Sequence, residues 1–209
     1  QAQGYIQSIG YDVADFWTKV YPEFFKANDC KEGAAVINCI ERAVHERFYD
    51  KISKVYGTDK DEFYLSYLDD PIFKDRAKWL GKTLHQEDKK LTCLVFGLVE
   101  GLSLFSMFAL LRSFQANGIN KIVTTVKGTK QSANDELLHS EYLATTFQYY
   151  YGELGTSLDL DVEYYDKLLE QTYNVFDMEK FILTEVIKTE GFPEDEFNGV
   201  KLTEYFDLL

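Results

Sequence analysis

The chain has 209 residues and a formal net charge of −13, and 45% of its residues are hydrophobic. This length and apolar content are typical of one folded domain with a sizeable core, and they exclude a disordered chain. The negative charge, with no long run of Lys or Arg to offset it locally, disfavours direct binding of nucleic acid.

Apolar residues recur at helical spacing along most of the chain, whereas the period-two alternation of strands is hard to find. The pattern therefore predicts an all-α protein. A first helix is predicted over residues 5–26, with a kink or break near Pro22. A second is predicted over residues 31–55, with Asp29 as its candidate N-cap and an end before Gly57.

The second helix carries a stripe of residues that is predicted to face inward and that includes His45. The apolar members of this stripe are Val36, Ile37, Ile40, Val44, Phe48 and Ile52. A third helical region follows, interrupted near residues 69–71. The fourth helix, about residues 91–115, is apolar nearly all round and is expected at the centre of the protein.

The fifth helix is predicted to start near Asn120, or as late as Ser132, and to end at Tyr151. A sixth is predicted over about residues 161–188. Its inward face is predicted to consist of Tyr165, Leu168, Leu169, Tyr173, Val175, Phe176, Phe181 and Ile182.

The chain turns polar from Gly191 onward and contains Pro and Gly there. Such a composition buries too little apolar surface to offset the entropy of ordering. We therefore predict one helical domain over residues 1–190 and a flexible C-terminal tail over residues 191–209.

Several features bear on cellular location. The stretch 91–111 is long enough to span a membrane, but Glu100 lies at its centre and Ser, Thr and Gly dilute it, so we predict no span. The first residues show no charged segment followed by an apolar one, as a secretory signal would. Three cysteines without a C-x-x-C pair argue against disulfides. These features predict a cytoplasmic protein.

A metal site is indicated by three clusters on three predicted helices. Glu136-x-x-His139 places two metal-capable side chains on one helical face. Glu100 is the only charged residue in the stretch 91–111, and His45 lies on an apolar stripe. Burying such groups without compensation costs several kcal/mol, so together they favour a cation inside a helical bundle.

Each cluster also has a plainer interpretation. Taken alone, Glu136-x-x-His139 could be a chance pairing of two residues on a solvated helix face. Glu100 could form a structural salt bridge to a buried Arg or Lys, and His45 could be a hydrogen-bonded core histidine.

Four segments of the chain form a recognisable series, residues 11–17, 45–49, 98–109 and 132–139. In their order and spacing they resemble the small, radical-generating subunit of class I ribonucleotide reductase, including the compact versions found in phages. The resemblance covers about residues 9–185.

The resemblance implies a ferritin-like helical bundle with a buried di-metal carboxylate site, holding two ions of iron, two of manganese or one of each. Tyr49, one helical turn after His45, would carry a tyrosyl radical. Asp135 would hydrogen-bond the metal-bound imidazole of His45. Asp15 is the alternative to Asp12 as the first carboxylate. The implied metal ligands are Asp12, Glu41, His45, Glu100, Glu136 and His139.

The chain departs from the family pattern before His45. The family has E-x-x-H, but Arg42 occupies that position here, and the nearest carboxylate is Glu41 at i, i+4. A one-residue π-bulge would restore the usual geometry, so we predict Glu41 as the ligand. The alternative is that Arg42 faces the metals and its guanidinium takes the place of a cation.

The implied function is to generate and store a radical that a large catalytic subunit uses to make deoxyribonucleotides. The chain would form a homodimer in the cytoplasm, or in the host cytoplasm if it is viral. Its tail would dock on the large subunit. The residues expected to make that contact are Tyr205, Phe206, Leu208 and Leu209. The family's radical-transfer tryptophan lies well upstream of the first ligand, and this chain offers Trp17 and Trp79 as its candidates.

Two other functions remain open from the sequence. A stand-alone ferritin-like oxidase or oxygenase would act on a small organic substrate, and it would need an open apolar channel to the metals but no docking tail. A metal-free helical interaction module would bind metal only substoichiometrically.

Overall fold

The computed structural model describes residues 2–115, 121–153 and 162–190 together with four strand residues, and their side chains over 9–89, 91–115, 121–149 and 165–185. Helices make up nearly all of this part, as the sequence predicted. The α-helices are α1 (Ala2–Asp15), α2 (Tyr21–Phe24), α3 (Asn28–Ile40), α4 (Glu46–Tyr56), α5 (Asp61–Leu65), α6 (Pro71–Leu84), α7 (Lys89–Leu98), α8 (Phe105–Ser113), α9 (Val123–Glu153) and α10 (Val162–Glu190).

Short π-helical segments join three pairs of these α-helices end to end. Phe16–Val20 joins α1 to α2, Glu41–His45 joins α3 to α4, and Val99–Ser103 leads towards α8 from α7. Each segment inserts a wider turn, which rotates the side chains that follow it relative to an uninterrupted α-helix. The π-bulge predicted beside His45 is confirmed, and two of the three segments contain candidate metal ligands.

The helix ends follow local side-chain and backbone chemistry. Gly57 ends α4 with a φ of 67°, in the left-handed region that glycine adopts without steric cost. Asp70 caps α6, and its Oδ1 accepts a hydrogen bond of 2.9 Å from the backbone N–H of Ile72. Ala27 is the N-cap of α3, so the expected cap Asp29 lies instead in the first turn.

The apolar helix predicted at the centre is central. α7 and α8 pack against both α9 and α10. Leu91–Ser113 has the length and hydropathy of a membrane span, but 61% of that window is buried within the protein. A core position therefore accounts for its apolar composition. The core contains large side chains that are almost completely buried. On the central helix these include Phe96 and Met107, and elsewhere they include Phe16, Trp17, Tyr21, Phe73 and Leu143.

Several residues predicted to face inward are exposed. Val36 and Val44 are 61% and 55% exposed, so the inward stripe of the second predicted helix was partly wrong. On α10, Tyr165, Leu169, Tyr173 and Phe181 are exposed, whereas Val175 and Ile182 are buried as predicted. These helices carry apolar residues on more than one face, and spacing alone does not identify the buried one.

A small antiparallel ladder pairs β1 (Glu196–Phe197) with β2 (Val200–Lys201). This ladder was not predicted, although Asn198-Gly199 between apolar residues is a strong hairpin signal. The ladder lies in the segment predicted to be a tail. The predicted docking residues Tyr205, Phe206, Leu208 and Leu209 lie outside the described residues.

Candidate metal centre

Three helical elements bring the candidate ligands together. Glu41 and His45 are the first and last residues of one π-helical segment, and Glu100 lies in another. Glu136 and His139 lie one turn apart on α9. All five are buried, none more than 6% exposed.

Four of these residues form a compact group. Ligand atoms of Glu41, Glu100, Glu136 and His139 all lie within 4.8 Å of one another. The imidazole Nδ1 of His139 is 3.3 Å from Glu136 Oε2 and 3.5 Å from Glu100 Oε2. Three carboxylates this close, with almost no access to water, repel one another strongly unless a cation lies among them.

His45 extends this group. Its Nδ1 lies 3.0 Å from Glu41 Oε1 and 3.4 Å from Glu136 Oε1. Its other ring nitrogen, Nε2, lies 3.0 Å from Asp135 Oδ2. This is the contact that the sequence resemblance implied for Asp135, and it leaves Nδ1 facing the carboxylates.

The π-helical segment directs the adjacent side chains of Glu41 and Arg42 to different surroundings. Glu41 is 6% exposed and belongs to the compact group. The Arg42 side chain is 50% exposed, and its Nη1 lies 3.5 Å from Glu46 Oε2 at the surface. The Arg42 guanidinium therefore lies outside the compact group in this structure.

The neighbouring carboxylates raise the pKa values of both imidazoles, those of His45 and His139. Burial alone would lower the pKa of His45, but the neighbouring carboxylates of Glu136 and Glu41 raise that pKa to about 11. Burial is likewise outweighed at His139, where Glu100 and Glu136 raise the pKa to about 10. In the metal-free protein these side chains hold protons in the positions that a cation would otherwise take.

The pKa values of the Glu100 and Glu136 carboxyls are shifted in opposite directions. Burial, followed by repulsion from Glu136, raises the pKa of Glu100 to about 8. Burial and the charge of Glu41 would also raise the pKa of Glu136, but the close approach of Glu100 and the two histidines lowers that pKa overall. One carboxyl therefore takes up a proton while its neighbour remains ionised, which is the behaviour of like charges that share one site.

The group fits metal ions. Several of its atoms lie close together but are not aligned as hydrogen bonds, so they are buried without a hydrogen-bond partner among the described residues. The carboxylate oxygens and imidazole nitrogens are ligands for iron and manganese. The unpartnered atoms are Glu41 Oε1, His45 Nδ1, Glu100 Oε2, Glu136 Oε2, and both ring nitrogens of His139.

The structure does not bring Asp12 into this group. The charged residues that influence its pKa, which burial raises to about 6, are Asp15 and His85. From helix α1, Val13 lines the same cavity as Glu41, and Trp17 in the following segment donates a hydrogen bond to Glu100. A side chain one position along a helix points about 100° away, so Asp12 misses this face. Its alternative, Asp15, forms an exposed ion pair with Lys19.

Tyr49 lies one turn beyond His45, as expected, and is 3% exposed. Burial raises the pKa of its phenol to about 12, while the hydroxyls of Ser132 and Thr129 act in the opposite direction. Tyr49 and the candidate ligands Glu41, His45 and Glu136 line the same cavity of about 470 Å³.

Sequence reasoning missed the role of Trp17. Its indole Nε1–H donates a buried hydrogen bond of 2.6 Å to Glu100 Oε1. This bond fixes the carboxylate whose other oxygen faces His139. The two residues are 83 positions apart in the chain, and no local pattern indicates such a pairing.

A second buried polar cluster was also missed. The guanidinium Nε–H of Arg76 donates to Glu179 Oε1 at 2.9 Å, and both side chains are at most 1% exposed. Arg76 also donates to Ser103, and Ser106 donates to Glu179. Glu179 lies four residues after Val175 and three before Ile182, both buried, so the spacing of α10 contained a signal for its burial.

These elements define a class of protein, the all-α ferritin-like bundle with buried carboxylate and histidine side chains grouped for metal binding. The family model described as ribonucleotide reductase, small chain, matches residues 7–204. The chain therefore belongs to the ribonucleotide reductase small-chain family. No curated protein matches it.

Proposed function

We propose that this chain is the radical-generating small subunit of a ribonucleotide reductase. The observation that carries the proposal is the buried group of Glu41, Glu100, Glu136 and His139 in a chain of the small-chain family. With His45, these side chains would hold two metal ions, either iron, manganese or one of each, because all three combinations suit carboxylate and imidazole ligands.

Bound ions would supply one-electron oxidation through their reaction with oxygen or a reduced oxygen species. The protein's own contribution begins with orientation. Asp135 Oδ2 accepts the Nε2–H of His45, which fixes the tautomer and directs Nδ1 inward. The indole of Trp17 holds Glu100 in the same way from the opposite side.

Tyr49 would store the oxidising equivalent. Its burial excludes water, and its phenol lies beside the hydroxyls of Ser132 and Thr129. From this side chain the equivalent would pass reversibly to a cysteine of the large subunit. There a ribonucleoside diphosphate or triphosphate would be reduced to the deoxyribonucleotide.

Electron paramagnetic resonance tests this proposal. Protein loaded with iron or manganese and then oxidised should show a sharp radical signal that is absent in Tyr49→Phe. Tyr56→Phe is the matched control and should keep the signal. Tyr56 lies about two turns beyond Tyr49 on the same face of α4, but it does not line the cavity. Persistence of the signal and turnover in Tyr49→Phe would refute the tyrosyl assignment. Substoichiometric metal in replete medium would favour the metal-free interaction module instead.

We further propose that residues 191–209 dock on the large subunit through Tyr205, Phe206, Leu208 and Leu209. Deleting residues 202–209 should then abolish turnover with the large subunit and leave metal content unchanged. The cavity of about 470 Å³ beside the ligands is the feature that favours a stand-alone oxidase. An oxidation activity that survives the deletion undiminished would support that second function.

The family also supports a cytoplasmic homodimer. Two of the three helical elements that carry candidate ligands also carry exposed apolar residues, which offer surface for such an assembly. These residues are Val36 and Val44 near Glu41, and Leu137 and Leu138 near Glu136. Sedimentation should give twice the chain mass of 24.2 kDa, and a monomer at micromolar concentration would contradict the dimer.

A further inference from the structure

One cavity connects the candidate ligands to the surface. Its volume is about 470 Å³, and its inner end is formed by Glu41, His45 and Glu136. These three side chains are at most 6% exposed, and each has a buried polar atom without a hydrogen-bond partner among the described residues. The cavity therefore ends on ligand atoms that are ready to accept a cation.

The outer part of the cavity is mainly acidic. Glu46 and Asp50 on α4 and Asp61 on α5 line it, while Arg42 is the one basic side chain among its described lining residues besides His45. The Arg42 guanidinium lies 3.5 Å from Glu46 and 5.9 Å from the ring of Tyr11, so it spans the rim between α1 and α4.

These charges do not contribute equally. Arg42 offsets Glu46, and Lys54 lies 2.7 Å from Asp50 and offsets it. Asp61 has no ion pair within the described part of the chain, so its charge is the least compensated at the rim. The walls between rim and inner end are apolar and include Val13, Leu104 and Phe108. Low-dielectric walls concentrate the field of such charges along the cavity.

We propose that this cavity is the entry route for divalent cations to the metal centre, with Asp61 attracting the incoming ion and Arg42 opposing it. The inference rests on the proposed function only in requiring that the centre binds metal. Neither residue is a ligand, because both lie at the rim. Their charges therefore act on the rate of uptake, and they act with opposite signs.

Stopped-flow uptake of Co²⁺ by the full chain, freed of metal with a chelator, tests the route. Trp17 is hydrogen-bonded to Glu100, so its fluorescence reports arrival of this paramagnetic ion at the centre. The variants are Asp61→Asn and Arg42→Gln. Matched controls are Asp75→Asn and Lys78→Gln, which remove the same charges from an exposed pair on α6 outside the cavity.

At low ionic strength we expect uptake about threefold slower in Asp61→Asn and about threefold faster in Arg42→Gln, with both controls near the parent rate. The differences should shrink at about 0.5 M salt, where screening is strong. The final stoichiometry of bound Co²⁺ should be the same in all five proteins.

Equal rates in the two rim variants, or shifts in the same direction, would overturn the route. So would controls that move as far as the rim variants, or a loss of bound metal in Asp61→Asn, which would make that residue a ligand. A parent chain that takes up no Co²⁺ or other divalent metal would instead overturn the proposed function, and the route with it.

Discussion

Glu41 and Arg42 are adjacent in the chain, yet the first is buried among candidate ligands and the second is exposed. Glu41 and His45 together would serve one of the two ions. Replacement of Glu41 by Ala should therefore reduce bound metal by about half. Elemental analysis of purified, metal-loaded protein measures this directly.

Arg42→Ala is the matched control for this change, because it alters the neighbouring position on the same π-helical segment. Its metal content should equal that of the parent. If Glu41→Ala keeps its full metal content, Glu41 does not bind an ion.

The positions of the candidate site residues could be predicted from the sequence to different extents. Glu136-x-x-His139 is local, and a helical spacing is enough to place both side chains together. Glu100 was conspicuous because it is the only charge in an apolar stretch. The positions of Asp12 and Trp17 could not be predicted in this way, because they depend on how α1 and the π-helical segment after it are rotated about their common axis. That rotation is fixed by packing against other helices.

At the scale of elements, the Arg76–Glu179 pair joins α6 to α10, and the serines that bond to it lie in the central helix. Glu179→Ala should destabilise the protein by about 3 to 5 kcal/mol, because it leaves the Arg76 charge buried without its partner. Urea unfolding followed by circular dichroism measures this change.

The double variant Arg76→Met/Glu179→Met separates charge from packing. It removes both buried charges and keeps similar volume, so it should be far less destabilised than the single variant. A single variant as stable as the parent would show that Glu179 is not held as an ion in the folded protein.

The predicted elements were correct in number and order for the long helices, because continuous apolar periodicity determines them. Their buried faces were less accurate. On α3 and the π-helical segment that follows it, Val36 and Val44 are exposed. The buried positions there include Cys30, Ala34, Glu41 and His45. A hydrophobicity scale gives its highest values to large apolar residues. It therefore predicts the wrong buried face when that face consists of small and metal-capable side chains.

At the scale of the whole molecule, metal binding and folding should be linked. A chain with a net charge of −13 that also buries three neighbouring carboxylates gains stability from any cation bound only in the folded state. At a metal concentration about 100 times the dissociation constant, the free energy of unfolding should rise by about 2.7 kcal/mol. For a protein of this size, that raises the melting temperature by about 5 to 10 °C.

The size of this rise should depend on pH, because the ions must displace protons. The pKa values of His45, His139 and Glu100 are raised to about 11, 10 and 8, so at neutral pH these groups hold protons in the metal-free protein. Proton competition weakens as pH rises towards these values, so the metal-dependent rise should be larger at pH 8 than at pH 6.

Calorimetric melting with and without Mn²⁺ at both pH values measures this linkage, and a chelator should reverse the rise. His139→Ala removes one ligand at the centre of the group and should lose most of the effect, whereas Asp75→Asn, at an exposed surface pair, should keep it. The same rise at pH 6 and pH 8 would mean that the ions displace no protons from these side chains. A rise preserved in His139→Ala would place the bound metal elsewhere on this acidic protein.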